Sequence, residues 1–247
     1  MTLTTFFTQN PRVALAFSGG TDSSYLLYAA KQNCCDVRAF FVKTAFQPQF
    51  EENDALRLAK ELNVDLTILN HDIFQHEEVT SNPKDRCYYC KTAIFHLLKQ
   101  EAEKAGYPVL IDGTNASDDA GDRPGMRALK EIGVRSPLRE CGLTKAEIRA
   151  LSKQAGLFTW EKPSYACLAT RIPSGTPITA RTLTRVENSE EFLFTLGFSD
   201  LRIRVMGETA KLQLPENQMA KAIKQSQAIR KGLSPYFTDI LLDLKPR

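Results

Sequence analysis

Short apolar runs alternate with longer amphipathic stretches through the first half of the chain. Residues 13–17 (V-A-L-A-F) form a continuous apolar run of the length of a strand buried on both faces. The stretch from Ser24 onward (S-Y-L-L-Y-A-A) predicts a helix over about 23–32, ending in the polar Gln32-Asn33. Residues 37–42 (V-R-A-F-F-V) predict a second strand. Ala55, Leu58, Ala59 and Leu62 recur at helical spacing and predict a helix over 54–62. Residues 66–69 predict a third strand, and the segment on to Ser81 reads as loop. Strand, helix, strand, helix, strand is the rhythm of a parallel sheet with helices on both faces, so the fold class is α/β, doubly wound.

A long helix is expected to begin near Pro83 and run to about residue 105, with Ala93, Ile94, Leu97 and Leu98 on its apolar side. Residues 108–111 predict a fourth strand, and residues 134–138 the end of a fifth. Thr144, with Glu147 three residues on, is a capping-box signature for a further helix. From Ile178 the pattern changes. Thr179 can cap a helix bearing Leu183, Val186, Leu193 and Leu196, residues 201–205 alternate as a half-buried strand, and 210–214 return as its hairpin partner. A helix from Pro215 to about Lys231 and a strand over 236–242 complete a smaller α+β domain. The expected division is 1–160 and 161–247.

With 247 residues the chain can bury a substantial core, and 43% apolar and 25% charged residues are ordinary for a globular protein. A net charge of +3 suits anionic small molecules and is too small to argue for nucleic acid, so no nucleic-acid partner is expected. No run approaches the ~20 apolar residues of a membrane span, and the N-terminus lacks the basic start of a signal peptide. The cytoplasm is the expected location, with no membrane partner. There the six cysteines (34, 35, 87, 90, 141 and 167) are expected as thiols, ligands or reactive groups rather than disulfide staples.

The chemistry concentrates where the first strand ends. Ser18, Gly19, Gly20, Thr21, Asp22, Ser23 and Ser24 join strand to helix. Glycines let the backbone approach a phosphate, and successive N–H groups and the helix dipole favour an anion. Asp22, an anion among phosphates, makes sense where Mg²⁺ is held. Thr44 and Phe46, just past the second strand, are placed to meet adenine or ribose. Residues 112–119 are small and acidic and read equally as a Mg²⁺ or ribose site and as a solvated turn. Lys145 reads as a phosphate contact or a surface lysine.

Cys87 and Cys90, three apart, fall on one helical face. One C-x-x-C is a zinc half-site, a redox pair or plain burial, and no second pair completes a zinc finger. Cys167, in the small-residue loop 162–175 beside Arg171, reads as a reactive thiol or as a space-filling loop cysteine. Arg202 and Arg204 share one strand face, suited to a phosphate or simply solvated.

The string S-G-G-x-D-S resembles the pyrophosphate loop (PP-loop) of the ATP-pyrophosphatase superfamily, whose members cut ATP between its α- and β-phosphates. Asp122-Arg123-Pro124-Gly125 resembles a D-x-R-P-G segment. With the C-L-A-T-R-I-P-S-G loop and the L-R-I-R strand in this order, the chain resembles LarE-type sulfur transferases over nearly its whole length. That resemblance implies ATP-dependent adenylation of a pyridinium carboxylate mononucleotide and its conversion to a thiocarboxylate, in the synthesis of a nickel-pincer cofactor. It implies that Ser18 to Ser24 hold the departing pyrophosphate and that Arg123 belongs to the nucleotide site. It makes Cys167 the sulfur-donating cysteine, Arg202 and Arg204 the binders of the mononucleotide phosphate, and Glu190 an acidic neighbour of that site. Members carrying both the C-x-x-C and the loop cysteine resemble three-cysteine thiolases. That implies a 4Fe–4S cluster on Cys87, Cys90 and Cys167, reloaded by a sulfide donor of unknown identity. The alternative branch sacrifices Cys167, leaving dehydroalanine. The family also suggests a homo-hexamer. A tRNA thiolase, an ammonia-using GMP or NAD synthetase and a non-catalytic nucleotide-binding module are the competing readings.

Overall fold

A computed structural model describes residues 1–118 and 124–247. The chain divides into two compact units: residues 1–75 with 85–162, and residues 76–84 with 163–247.

In the first unit, helix α1 (Leu3–Gln9) precedes β1 (Arg12–Ala16), followed by α2 (Thr21–Gln32), β2 (Asp36–Lys43), α3 (Gln49–Glu61) and β3 (Leu66–Asn70). Helix α4 (Glu77–Thr80) belongs to the second unit. The first unit resumes with α5 (Arg86–Lys104), β4 (Val109–Ile111), α6 (Pro124–Ile132), α7 (Pro137–Glu140) and α8 (Lys145–Gln154). Its four strands form one parallel sheet in the order β3-β2-β1-β4. The period-2 geometry of a strand sends alternate residues to opposite faces. Val13, Leu15, Val37, Ala39, Phe41 and Ile111 enter one apolar layer with α2 and α3. Ala14, Phe40, Val42 and Leu110 enter the other with α5 and α6. Both faces are covered, which is why these strands read as continuous apolar runs. The fold is the expected doubly wound α/β sheet.

Three local expectations are corrected. Helix α3 starts at Gln49, five residues early, because Pro48, extended at φ −66°, ψ 156°, is its N-cap. The segment before Ser81 is not all loop, since Ile73–Gln75 is a 3-10 turn and α4 follows. The fifth strand is absent among the described residues. Arg135 makes a single parallel bridge to Ile111, and Pro137, which has no N–H for a ladder, opens α7 instead.

In the second unit α9 (Ala180–Thr195), capped by Thr179, precedes the antiparallel pair β5 (Arg202–Met206) and β6 (Thr209–Gln213). The expected single helix after Pro215 is two, α10 (Glu216–Lys224) and α11 (Ser226–Leu233). Strand β7 (Asp239–Leu242) adds parallel to β6, giving the order β5-β6-β7. Leu183, Val186, Leu193, Ile203, Val205, Leu212 and Leu233 are buried in this unit. No helix among the described residues is long and apolar enough to cross a membrane.

Candidate functional site

The turn after β1 is set by sterics before chemistry. Gly19 has φ +67°, and a Cβ there would lie 2.9 Å from the Glu51 carbonyl oxygen and 3.2 Å from the Ala55 nitrogen, both backbone. Only glycine lets the turn lie this close to α3. Gly20 is the N-cap of α2 and offers no side-chain cap. The first intrahelical bond runs from Ser24 N–H to the Gly20 carbonyl at 3.0 Å. The first-turn N–H groups ahead of it therefore have no intrahelical acceptor. Ser18 and Ser23 close the turn, with their hydroxyls 3.0 Å apart and the Ser18 N–H donating to Ser23 Oγ at 3.3 Å.

Gly113, just past β4, comes against the same helix end, where a Cβ would lie 2.8 Å from Ser23 N. Asp112 is neither a solvated turn residue nor an open ligand. It is buried and accepts from Thr114 Oγ1 at 2.5 Å and Ser136 Oγ at 2.6 Å, which fixes the strand end that carries Gly113. Thr44 and Phe46 do not present an adenine surface. Both are buried, and the Thr44 hydroxyl donates to Gln47 Oε1 at 2.7 Å and accepts from Phe46 N–H at 3.0 Å.

Two lysines flank the turn. Lys145 Nζ lies 2.5 Å from Asp22 Oδ2, and Lys162 Nζ lies 3.2 Å from the Gly19 carbonyl and 2.6 Å from Asp54 Oδ2. Helix α8 arranges both. Its complete Thr144–Glu147 capping box fixes the end that carries Lys145. One turn later Arg149 donates to the carbonyls of Trp160 at 2.6 Å and Lys162 at 2.7 Å, holding the segment that brings Lys162 to the loop. Lys162 and Arg149 were not legible as site residues, because neither carries a motif of its own and Lys162 meets the turn across 143 positions. Asp22 Oδ1 is buried without a hydrogen-bond partner among the described residues. A buried carboxylate oxygen lacking a donor is costly, and a hard cation satisfies it, so the residue suits Mg²⁺.

In the second unit, Leu168–Arg171 forms a 3-10 turn with Cys167 as its N-cap, so the expected irregular loop is partly helical. Arg171 and Glu190, both fully buried, pair bidentately at 2.9 and 3.0 Å. Arg171 Nη1 also donates to the carbonyls of Ala166 at 2.5 Å and Cys167 at 3.3 Å. Glu190 Oε1 accepts from the Ile203 N–H at 2.9 Å and Oε2 from the Tyr165 hydroxyl. The ion pair thus fixes the Cys167 turn against the strand that carries Arg202 and Arg204. Burial, then the guanidiniums of Arg171 and Arg204, lowers the Arg202 pKa; burial, then Arg171, lowers that of Arg204. Arg204 Nε donates to Gln213 Oε1 at 2.8 Å. Burial and the neighbouring Arg171 thus disfavour the charge of both guanidiniums, a cost that a nearby anion would offset.

Cys87, exposed, and Cys90, half-buried, lie in the opening turns of α5 in the first unit, while half-buried Cys167 belongs to the second. Among the described residues no group of three or more His, Cys, Asp or Glu side chains is placed to hold a metal ion. The expected three-thiolate site is therefore not displayed, since one helix supplies only the 87/90 pair. Arg123 lies outside the described residues. Cys35 is buried, and burial, aided by Asp36, raises its thiol pKa to about 11. At pH 8 iodoacetamide should therefore modify exposed Cys34 and Cys87 and spare Cys35, as peptide mapping of the native protein would show.

No family model matches the chain. It is 34% identical over 223 residues to an uncharacterized protein of Synechocystis sp., covering 89% of this chain and 82% of that one. An uncharacterized Methanocaldococcus jannaschii protein is 31% identical, covering 96% and 91%. The pyridinium-3,5-bisthiocarboxylic acid mononucleotide synthase of Lactiplantibacillus plantarum is 30% identical over 236 residues, covering 94% of this chain and 86% of the synthase. The chain belongs to the LarE family. Weaker similarity, over 61% of the chain, connects this LarE-family protein to a glutamine-hydrolyzing GMP synthase component of Methanosphaerula palustris and a tRNA-specific 2-thiouridylase of Clostridium botulinum, at 26% and 25% identity.

Proposed function

We propose that the protein is an ATP-dependent sulfur transferase that converts a carboxylate of a pyridinium mononucleotide into a thiocarboxylate. The observation that carries this reading is the phosphate cradle at the carboxyl end of β1, in a chain whose 30%-identical relative bears the synthase's name. A substrate carboxylate oxygen attacks the α-phosphorus of ATP, the bond to the bridging oxygen breaks, and pyrophosphate leaves into the turn of Ser18 to Ser24. Orphan N–H groups of the α2 N-terminus receive its charge. Mg²⁺, held by Asp22, supplies charge neutralisation to the phosphates when bound. Arg202 and Arg204 hold the mononucleotide phosphate, with Glu190 and Arg171 fixing the strand and turn on which they and Cys167 sit.

The sulfur nucleophile at Cys167 then attacks the acyl carbon and AMP departs. In the sacrificial route the Cys167 Cβ–S bond breaks with loss of its Cα proton, leaving the thiocarboxylate and dehydroalanine. A second reading, favoured by the one-face spacing of Cys87 and Cys90 on α5, makes these two with Cys167 the ligands of a sulfide-carrying 4Fe–4S cluster.

The test incubates the protein with Mg·ATP and the pyridinium dicarboxylate mononucleotide and assays both pyrophosphate and thiocarboxylate. Wild type should yield both, and Cys167→Ala only pyrophosphate. Wild type that releases no pyrophosphate sinks the reading, and tRNA-dependent pyrophosphate release would favour a thiolase instead. Iron and acid-labile sulfide in oxygen-free preparations, lost in Cys87→Ala and Cys90→Ala, select the cluster. A metal-free wild type whose mass falls by one H₂S per turnover selects the sacrificial route.

A further inference from the structure

One face of the small sheet sets cations against each other. Arg202, Arg204, Lys211 and Gln213 occupy alternate positions of β5 and β6, and the register places Arg202 across from Gln213 and Arg204 across from Lys211. Two like charges directly opposed destabilise a strand pair. Asp243, just past β7, pairs with Lys211 at 3.1 Å rather than with an arginine. Gln213 stands between that carboxylate and Arg204. Its Nε2 donates to Asp243 Oδ2 at 2.9 Å, while its Oε1 accepts from Arg204 Nε at 2.8 Å. Turned over, the amide would set its NH2 against a guanidinium and its oxygen against a carboxylate, so the two neighbours fix which end faces Arg204. The other acceptor on Arg204 is also neutral, since Nη1 donates to the Thr170 carbonyl in the turn after Cys167. These bonds aim the guanidinium and leave most of its N–H donors open. A glutamate at 213 would make the same bond to Nε and cancel the charge. An arginine oriented without being neutralised is pre-organised for an anion from outside the chain.

We infer that Gln213 is a positioning residue that sets the phosphate selectivity of this site, a neutral spacer that aims Arg204 and keeps the Asp243 carboxylate from neutralising it. The inference rests on the reading of Arg202 and Arg204 as holders of the mononucleotide phosphate and deepens it. Asp243 acts at one remove. The hydrogen bonds from Gln213 and Lys211 hold its carboxyl below the usual carboxylate range, so it stays charged and polarises the amide toward Arg204. No covalent step is involved. The arrangement selects the phosphate monoester of the substrate, since a nucleoside without it brings Arg204 no anion.

Calorimetric titration of the intact chain with the pyridinium dicarboxylate mononucleotide and with its phosphate-free nucleoside tests this. Wild type should bind the mononucleotide the more tightly. Gln213→Glu should weaken mononucleotide binding about tenfold, the scale of one charge-assisted hydrogen bond, and Gln213→Met, which loses the aim but adds no charge, about threefold. Nucleoside affinity, read well below each variant's thermal midpoint, should stay within about twofold of wild type in both. A merely structural glutamine predicts the opposite order, because glutamate keeps the bond to Arg204 and methionine breaks it. A loss in Gln213→Met that equals or exceeds that in Gln213→Glu, equal losses for mononucleotide and nucleoside, or wild-type affinities in both variants overturns the inference while leaving the phosphate reading intact. A wild type that does not prefer the mononucleotide overturns both.

Discussion

Arg171→Met should destabilise the protein by about 3–5 kcal/mol, seen as a fall in thermal midpoint of ~10 °C on the scale of a chain of this length. The side chain removed is fully buried and holds Glu190 bidentately. Its loss leaves the buried Glu190 carboxylate without its bidentate partner and frees the carbonyls of Ala166 and Cys167. The penalty arises mainly from the stranded charge, not from the worth of the pair. Arg171→Met combined with Glu190→Gln should therefore recover more than half of the loss, because glutamine is neutral and still accepts from Ile203 N–H. Chemical denaturation with the two variants side by side measures this. A single-variant loss below about 1 kcal/mol would mean that the pair is not buried in solution.

Gly19→Ala should reduce pyrophosphate release on the order of 100-fold, the scale of a displacement near 1 Å in a reacting site. The added Cβ meets backbone at 2.9 and 3.2 Å, and backbone cannot rotate aside as a side chain end would. The φ of +67° adds strain for any L-residue with a Cβ. Gly20→Ala is the contrast. Its nearest neighbour is the Ser18 hydroxyl at 3.4 Å, and its φ of −83° is open to alanine. That variant should keep a native melting profile and at least ten times the activity of Gly19→Ala. Equal activities in the two variants would show that the approach of the turn to α3 does not matter for catalysis.

The placement of the two glycines also shows how far a sequence carries. S-G-G-x-D-S after an apolar run predicts a tight strand–turn–helix with open N–H groups, because strand burial, glycine freedom and the orphan N–H groups of a helix end are all local properties. The same holds for the doubly wound sheet and the Thr144 capping box, each written in a few neighbouring residues. Errors cluster where a local pattern has two outcomes. Residues 134–138 (V-R-S-P-L) suit the end of a strand, but one bridge forms before Pro137 turns the chain. The stretch after β4 reads equally as a ligand site and as a solvated turn, and within it Asp112 is buried and hydrogen-bonded to Thr114 and Ser136.

The order of residues thus sets most of the strands and helices, the glycine turn after β1, and the family to which the chain belongs. Which charges meet was settled by tertiary structure alone. Lys145 pairs with Asp22 across 123 positions, and Lys162 reaches Gly19 across 143. Arg171 and Glu190 are joined inside the second unit, and the 87/90 thiol pair lies in a different unit from Cys167. Backbone propensity acts over a few residues and leaves a trace in every window of the sequence. A charge pair forms wherever the fold brings two side chains within a few ångströms, and nothing local to either partner encodes the other.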